Sequence, residues 1–255
     1  MILYSGPMSM FGAKAQIALA EKGLAPQIVL VPFGLRRRYE PKHPEVARIN
    51  PKGQVPVLID GDIEVSDSTQ IFEYLETAYP APPLWPQTVR ERTLARRVEH
   101  LSDEFFFPKV VRLMSAALSA GDRAAVIGEI DAYRSGVECQ LANQSYLVGS
   151  FSYADIAFFM AELFAVVLGA KPEPTTPRLN VWRRLMARRP AVRDVVVPMV
   201  GYMSERGMPC PDFIELPPGA DRLGGPEDAV TDAHTAHLAH QPAEIAGDYQ
   251  RKDRP

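Results

Sequence analysis

The sequence predicts two domains of different class in series: a small mixed α/β domain over residues 1–80, then an all-helical domain over residues 89–210. Three observations predict this. Short apolar runs of strand length alternate with helical patterns as far as Tyr79. Pro80, Pro82, Pro83 and Pro86 then stiffen a linker, 81–88. Beyond it the strand signals stop and helical periodicity alone remains.

Ile2-Leu3-Tyr4-Ser5 reads as a short buried strand, ended by Gly6-Pro7. Ile17, Leu19, Ala20 and Leu24 mark a helix from about Met10, stopped by Gly23. Residues 27–31 form a second strand, and a strand–helix–strand unit makes that pair parallel. Residues 42–49 are a short helix or a loop. Two strands, 55–59 and 63–65, flank Asp60-Gly61-Asp62, a hairpin signal. A helix over 67–79 turns Ile71, Phe72, Tyr74 and Leu75 inward. The order β-α-β-α-β-β-α is that of a thioredoxin-like α/β domain. After the linker, helical patterns cover 89–120, kinked at Pro108, then 122–143, 152–168, 177–188 and 191–205. From Pro211 to the end nine acidic residues outnumber four Lys and Arg, so residues 211–255 read as an irregular acidic tail.

Composition narrows the function. Hydrophobic residues make up 46% of the 255, enough for a real core, and the net charge of -3 offers no basic surface to nucleic acid. Cys139 and Cys210 form no CxxC, which excludes a disulfide framework and a cysteine metal site and fits a reducing compartment. No secretory leader is expected, and the apolar stretch 156–170 is interrupted by Glu162 and too short for a bilayer. These traits predict a soluble cytoplasmic protein with no membrane partner. His234, His237 and His240 have metal-like spacing but no accompanying acid or cysteine cluster, so no metal is expected.

The most informative segment is Asn50-Pro51-Lys52-Gly53-Gln54-Val55-Pro56-Val57-Leu58, followed by Asp67-Ser68. Proline cannot donate within a sheet ladder but tolerates a strand's first position. X-Pro is also the bond for which a cis form is cheap. A cis Val55-Pro56 bond would turn the Val55 N–H and C=O toward an extended ligand. The helix start at Asp67-Ser68 offers unpaired N–H groups and a positive dipole end to a carboxylate. Together they can hold a small peptide by its backbone and by a charged terminus. A third motif, Ser152-Tyr153-Ala154-Asp155, is a capping box ahead of an apolar helix.

With these three motifs in this order, an α/β thioredoxin-like N-terminal domain plus an all-α C-terminal domain, the chain resembles the glutathione S-transferase superfamily over residues 1–210. Gly12 to Leu19 and Glu21-Lys22-Gly23-Leu24 are similar to the family's first helix, particularly in serine-type bacterial members close to the theta-like and β-etherase branches. The resemblance implies glutathione as cosubstrate, no metal, a homodimer and a small apolar electrophile. It also implies that Val55 and Pro56 hold the glutathione backbone and that Ser68 and Asp67 hold the γ-glutamyl end. Gln54, Lys52, Lys42 and His43 are candidates for the glycyl end, though solvated side chains are the commoner explanation for them. Arg36-Arg37-Arg38 can draw in an anion but is short enough to be merely solvated. Ser152 and Asp155 are implied to be structural.

Glutathione's thiol must become a thiolate to attack, which needs hydrogen-bond donors and positive potential beside sulfur. The family places that donor between the first strand and first helix. Ser9 aligns with the serine position, with Ser5 and Tyr4 as alternatives, and an ordinary helix cap is the plainer role for Ser9. No cysteine precedes residue 139, which disfavours thiol-transferase chemistry. Met8, Met10 and Phe11, with Phe105, Phe106, Phe107 and Arg112, are candidate walls for the electrophile; Tyr153 and Tyr202 are weaker ones. The expected reaction is conjugation, thiolytic ether cleavage or dehalogenation. The alternative is a non-catalytic protein that keeps the fold and acts through binding.

Overall fold

The computed structural model describes residues 1–34 and 39–216. Arg36 to Arg38, the three tail histidines and the tail from residue 217 lie outside the described residues. The chain opens with β1 (Ile2–Ser5), α1 (Met10–Glu21), β2 (Gln27–Leu30), α2 (Pro44–Ile49), β3 (Val57–Asp60), β4 (Ile63–Ser66) and α3 (Ser68–Ala78). The four strands form one sheet of order β2-β1-β3-β4. β1 runs parallel to β2 and antiparallel to β3, and β3 and β4 form the hairpin. Gly61 sits in the hairpin turn at φ 63, a conformation that favours glycine.

Alternation along β1 splits the sheet's two faces. Leu3 points into the large core with α1 and α3, while Tyr4 points into a smaller cluster with Val31, Val46 and Val57 beneath α2. Lys22, which follows α1, is fully buried at its side chain. Its Nζ donates to the carbonyls of Tyr79 (2.7 Å) and Pro82 (2.9 Å) and pairs with Glu76 at 3.0 Å, pinning the linker to the sheet half.

The second half is helical: α4 (Val89–Leu101), a π-helical turn (Ser102–Phe106), α5 (Phe107–Arg112), α6 (Ala120–Gln140), a 3-10 turn (Leu141–Asn143), α7 (Tyr153–Val167), α8 (Pro177–Ala187) and α9 (Pro190–Ser204). The expected single helix over 89–120 is corrected. It widens into a π turn before Pro108 and ends at Arg112. Proline lacks the N–H that continues an α ladder, and the π turn absorbs the extra residue. Every residue of α7 is buried, so it is the central helix of the core. Ser152 and Asp155 close its capping box as the sequence predicts.

Candidate functional site

Three chain segments converge at the end of the sheet. In the first, Gly6 and Ser9 close a turn through the Ser9 N–H to the Gly6 carbonyl at 3.1 Å. Ser9 is the N-cap of α1, and its Oγ accepts from the Gly12 N–H at 3.0 Å. With that lone pair occupied, the serine's own proton is left to donate into the helix mouth. The two alternatives are placed differently. Ser5 is fully buried next to Ser9, both hydroxyls lying against Gly12, and its Oγ accepts from Gln16 at 2.8 Å. Tyr4 is on the opposite face of the sheet, its ring 4.9 Å from that of His43.

The second segment is the 50–56 turn. Asn50 organises it: its side chain donates to the Gln54 carbonyl (2.7 Å) and accepts from the Lys52 N–H (3.0 Å). The Val55-Pro56 bond is cis. Val55 precedes β3, and its N–H and C=O make no backbone hydrogen bond among the described residues. Lys42 crosses this turn, with its Cγ and Cδ 3.2 Å from where a Cβ on Gly53 would lie. That places Lys42 beside Gln54 and Val55, where its ammonium also pairs with Glu40 at 2.9 Å. His43 caps α2 without a side-chain cap bond, and its buried Nδ1 has no partner.

The third segment is the start of α3. The Asp67 N–H reaches the Pro56 carbonyl at 3.3 Å, which fixes the helix start against the cis-proline turn. Asp67 takes φ 77, and its carboxylate accepts from the Thr69 (2.9 Å) and Gln70 (3.4 Å) N–H groups. Ser68 is 1% exposed and its hydroxyl has no hydrogen-bond partner among the described residues. Buried hydroxyls are almost always paired, so an unpaired one at a positive helix end marks a place for an acceptor. Thr69 is tied instead to Glu99, and Glu99 lies 3.5 Å from the fully buried Lys14, which also pairs with Asp103. Burial pushes the Asp103 carboxyl up to about 6, against the pull of Lys14.

The candidate electrophile walls do not gather in one place. Met8 and Phe11 are partly buried near the α1 mouth, and Phe11 meets Phe107 edge-on at 5.5 Å. Met10 is a core residue, 2% exposed. Phe106 is fully buried against Tyr133 and Phe158, because residue 106 faces α6 and α7. Phe105 is half-exposed beneath the Lys109 ammonium, and Arg112 pairs with Glu129 on α6 at 2.9 Å. Tyr153 stacks on Phe72 at 4.2 Å inside the core, and the Tyr202 hydroxyl donates to the Phe33 carbonyl at 3.4 Å. Among the described residues no group of His, Cys, Asp and Glu is arranged to hold a metal, and no helix is long and apolar enough to cross a membrane.

Sequence reasoning missed Asn50 and Tyr39. An Asn-Pro pair is a turn-initiating signal and could have revealed the first. Nothing local reveals the second: Tyr39 packs over Gly6, where a Cβ would fall 2.6 Å from its Cζ.

Residues 3–83 match the glutathione S-transferase N-terminal domain family. Glutathione S-transferase 3 of Zea mays is 30% identical over 213 residues, 76% of this chain and 92% of the relative. The chain belongs to the glutathione S-transferase family. Glutathione S-transferase 2 of Saccharomyces cerevisiae is 27% identical over 209 residues, 77% of this chain and 89% of its own length. The theta class glutathione S-transferase of Xanthomonas axonopodis pv. citri, solved with glutathione bound, superposes with a TM-score of 0.67 at 26% identity. That match covers 76% of this chain and 96% of the other. The thioredoxin-like sheet followed by a helical half is the family's two-domain fold.

Proposed function

We propose that the protein is a glutathione transferase whose bound thiolate attacks an apolar electrophile. The observation that carries this is the pairing of two unsatisfied groups joined by one hydrogen bond: the backbone of Val55 and the buried hydroxyl of Ser68, bridged through Asp67 and Pro56. An extended tripeptide with a carboxylate at one end satisfies both. The Val55 N–H and C=O pair with the cysteinyl backbone, and the γ-glutamyl carboxylate takes the Ser68 hydroxyl and the α3 N–H groups. The Asp67 carboxylate lies at the same end, for the γ-glutamyl amino group. Lys42 and His43 serve the glycyl carboxylate, with Lys52 and Gln54 beside them.

Ser9 hydrogen-bonds the sulfur, and the α1 N-terminus adds positive potential that favours thiolate over thiol. The thiol proton leaves to water. The sulfur lone pair then forms an S–C bond while the leaving group departs with its electron pair, or, in addition, the electrons move onto the acceptor and a solvent proton neutralises it. Proximity supplies much of the rate. Met8, Phe11 and Phe107 line the approach. The soluble partner is a small apolar electrophile, and two copies of the chain pair as a cytoplasmic homodimer.

Isothermal titration with glutathione, followed by absorbance titration of the bound thiolate, tests the reading. Wild type should bind, and Ser9→Ala should raise the pH at which the bound thiol ionises by about one unit. No binding ends the glutathione assignment. Binding without turnover on a panel of aryl halides, aryl ethers and enones favours a non-catalytic glutathione-binding protein.

A further inference from the structure

We propose that Tyr39 is a second hydroxyl donor to the sulfur of the bound thiol, opposite Ser9 across the Gly6–Ser9 turn. The inference rests on the glutathione reading above and adds a residue to it. Tyr39 belongs to the connection between β2 and α2, far in sequence from the helix start. Its ring meets Phe33 at 4.9 Å and packs on the smaller core cluster. Its hydroxyl is buried against Gly6, and its proton has no acceptor among the described residues. A methyl at residue 6 would collide with the phenol, with Cζ 2.6 Å from the added carbon, so glycine there admits the ring.

Gly6 and Ser9 are the two ends of one turn, closed at 3.1 Å. Turn ends of this kind lie within about 7 Å of each other at Cα. An atom seated over the turn can therefore meet both hydroxyls. The Met8 amide, inside the same turn, lies close enough to the phenol oxygen to draw its pKa down, while burial dominates and pushes it up to about 12. Tyr39 is thus a neutral donor throughout the working pH range, with a proton that no described residue accepts. A buried donor left unpaired is rare unless a ligand completes it. A thiolate is the acceptor that fits: it is anionic, and it has no proton with which to compete for the phenol's own.

The test is Tyr39→Phe, which keeps the ring and removes the oxygen. Glutathione and S-methylglutathione are the probes. S-methylglutathione should bind wild type and Tyr39→Phe with equal Kd, which also shows that the variant is folded. The bound glutathione thiol should ionise about one pH unit higher in the variant, with kcat at pH 6.5 about tenfold lower. Gly6→Ala, which displaces the phenol without removing it, should move the thiol titration in the same direction. An unchanged thiolate titration in Tyr39→Phe overturns the proposal and leaves Tyr39 a packing residue. Weaker S-methylglutathione binding with an unchanged thiol titration also overturns it, because the hydroxyl then serves the peptide backbone. Absence of glutathione binding by wild type defeats the glutathione reading itself and this inference with it.

Discussion

The two halves of the molecule treat buried polar groups in opposite ways. In the core of the helical half the buried charges are held in networks. Arg134 donates to Glu162 (3.1 Å), Asp131 (2.8 Å) and the carbonyls of Ala170 (2.7 Å) and Lys171 (3.1 Å). Arg183 donates to the same Glu162 at 2.9 Å. Asp155 accepts from Leu147 (2.9 Å), Ser152 (3.1 Å) and the Trp182 indole (3.0 Å). In the sheet half, His43 and Ser68 each bury a polar atom with no partner among the described residues, and Tyr39 buries a hydroxyl whose proton has no acceptor there. The helical half leaves one carboxylate oxygen of Asp103 unpaired among the described residues. The helical half uses polarity to specify one packing. The sheet half leaves more of it open, at the places the proposed glutathione would complete.

The sharpest way to break this contrast is Glu162→Gln, which takes the carboxylate partner from buried Arg183 and leaves Arg134 with Asp131 alone. The expected loss is about 3–5 kcal/mol of unfolding free energy, read from urea melts. A loss within the range of a surface substitution would show that the triad is dispensable. Ser68→Ala should behave in the opposite manner. Removing an unpaired hydroxyl should leave the melt unchanged or raise stability by up to about 1 kcal/mol, while glutathione Kd weakens about tenfold. A destabilised Ser68→Ala with normal binding would make the hydroxyl structural and erase the distinction.

The smallest expected effect lies at the boundary. Asp103 is pushed up to about 6 from 3.8, so between those values the folded chain keeps a proton that the unfolded chain releases. Its contribution is therefore full below the unfolded value and fades as pH rises through 6. The charged groups facing it are Lys14, Glu99 and Asp67. Between pH 7 and pH 5, the thermal midpoint of wild type should rise relative to that of Asp103→Asn. Parallel pH profiles would remove Asp103 as the source.

Much of the fold was legible because its punctuation is local. Gly61 in the hairpin, the linker prolines and the Ser152-Asp155 box each act within a few residues. The break in the first long helix was not legible, since the 89–120 pattern stays helical and the π turn answers to packing of Phe106 against α6 and α7. Val55, Asp67 and Ser68 could be singled out as a candidate site because turn, proline and helix start fall within one short stretch of sequence. Met10 and Phe106 could not be sorted from wall residues, because a methionine or phenylalanine looks the same in a core and in a pocket. Tyr39 was invisible for another reason. Its partner residue, Gly6, read simply as a strand terminator, and no periodicity links residues 6 and 39.

Lys22 carries one more consequence. Its amine is enclosed by the Tyr79 and Pro82 carbonyls and the Glu76 carboxylate, so it cannot meet a bulky acylating reagent while the end of α3 stays packed on α1. An exposed lysine such as Lys42 can. Mass-resolved labelling of the two side chains thus clocks different events: Lys42 reports encounter with solvent, and Lys22 reports each release of the end of α3 and the start of the linker from α1.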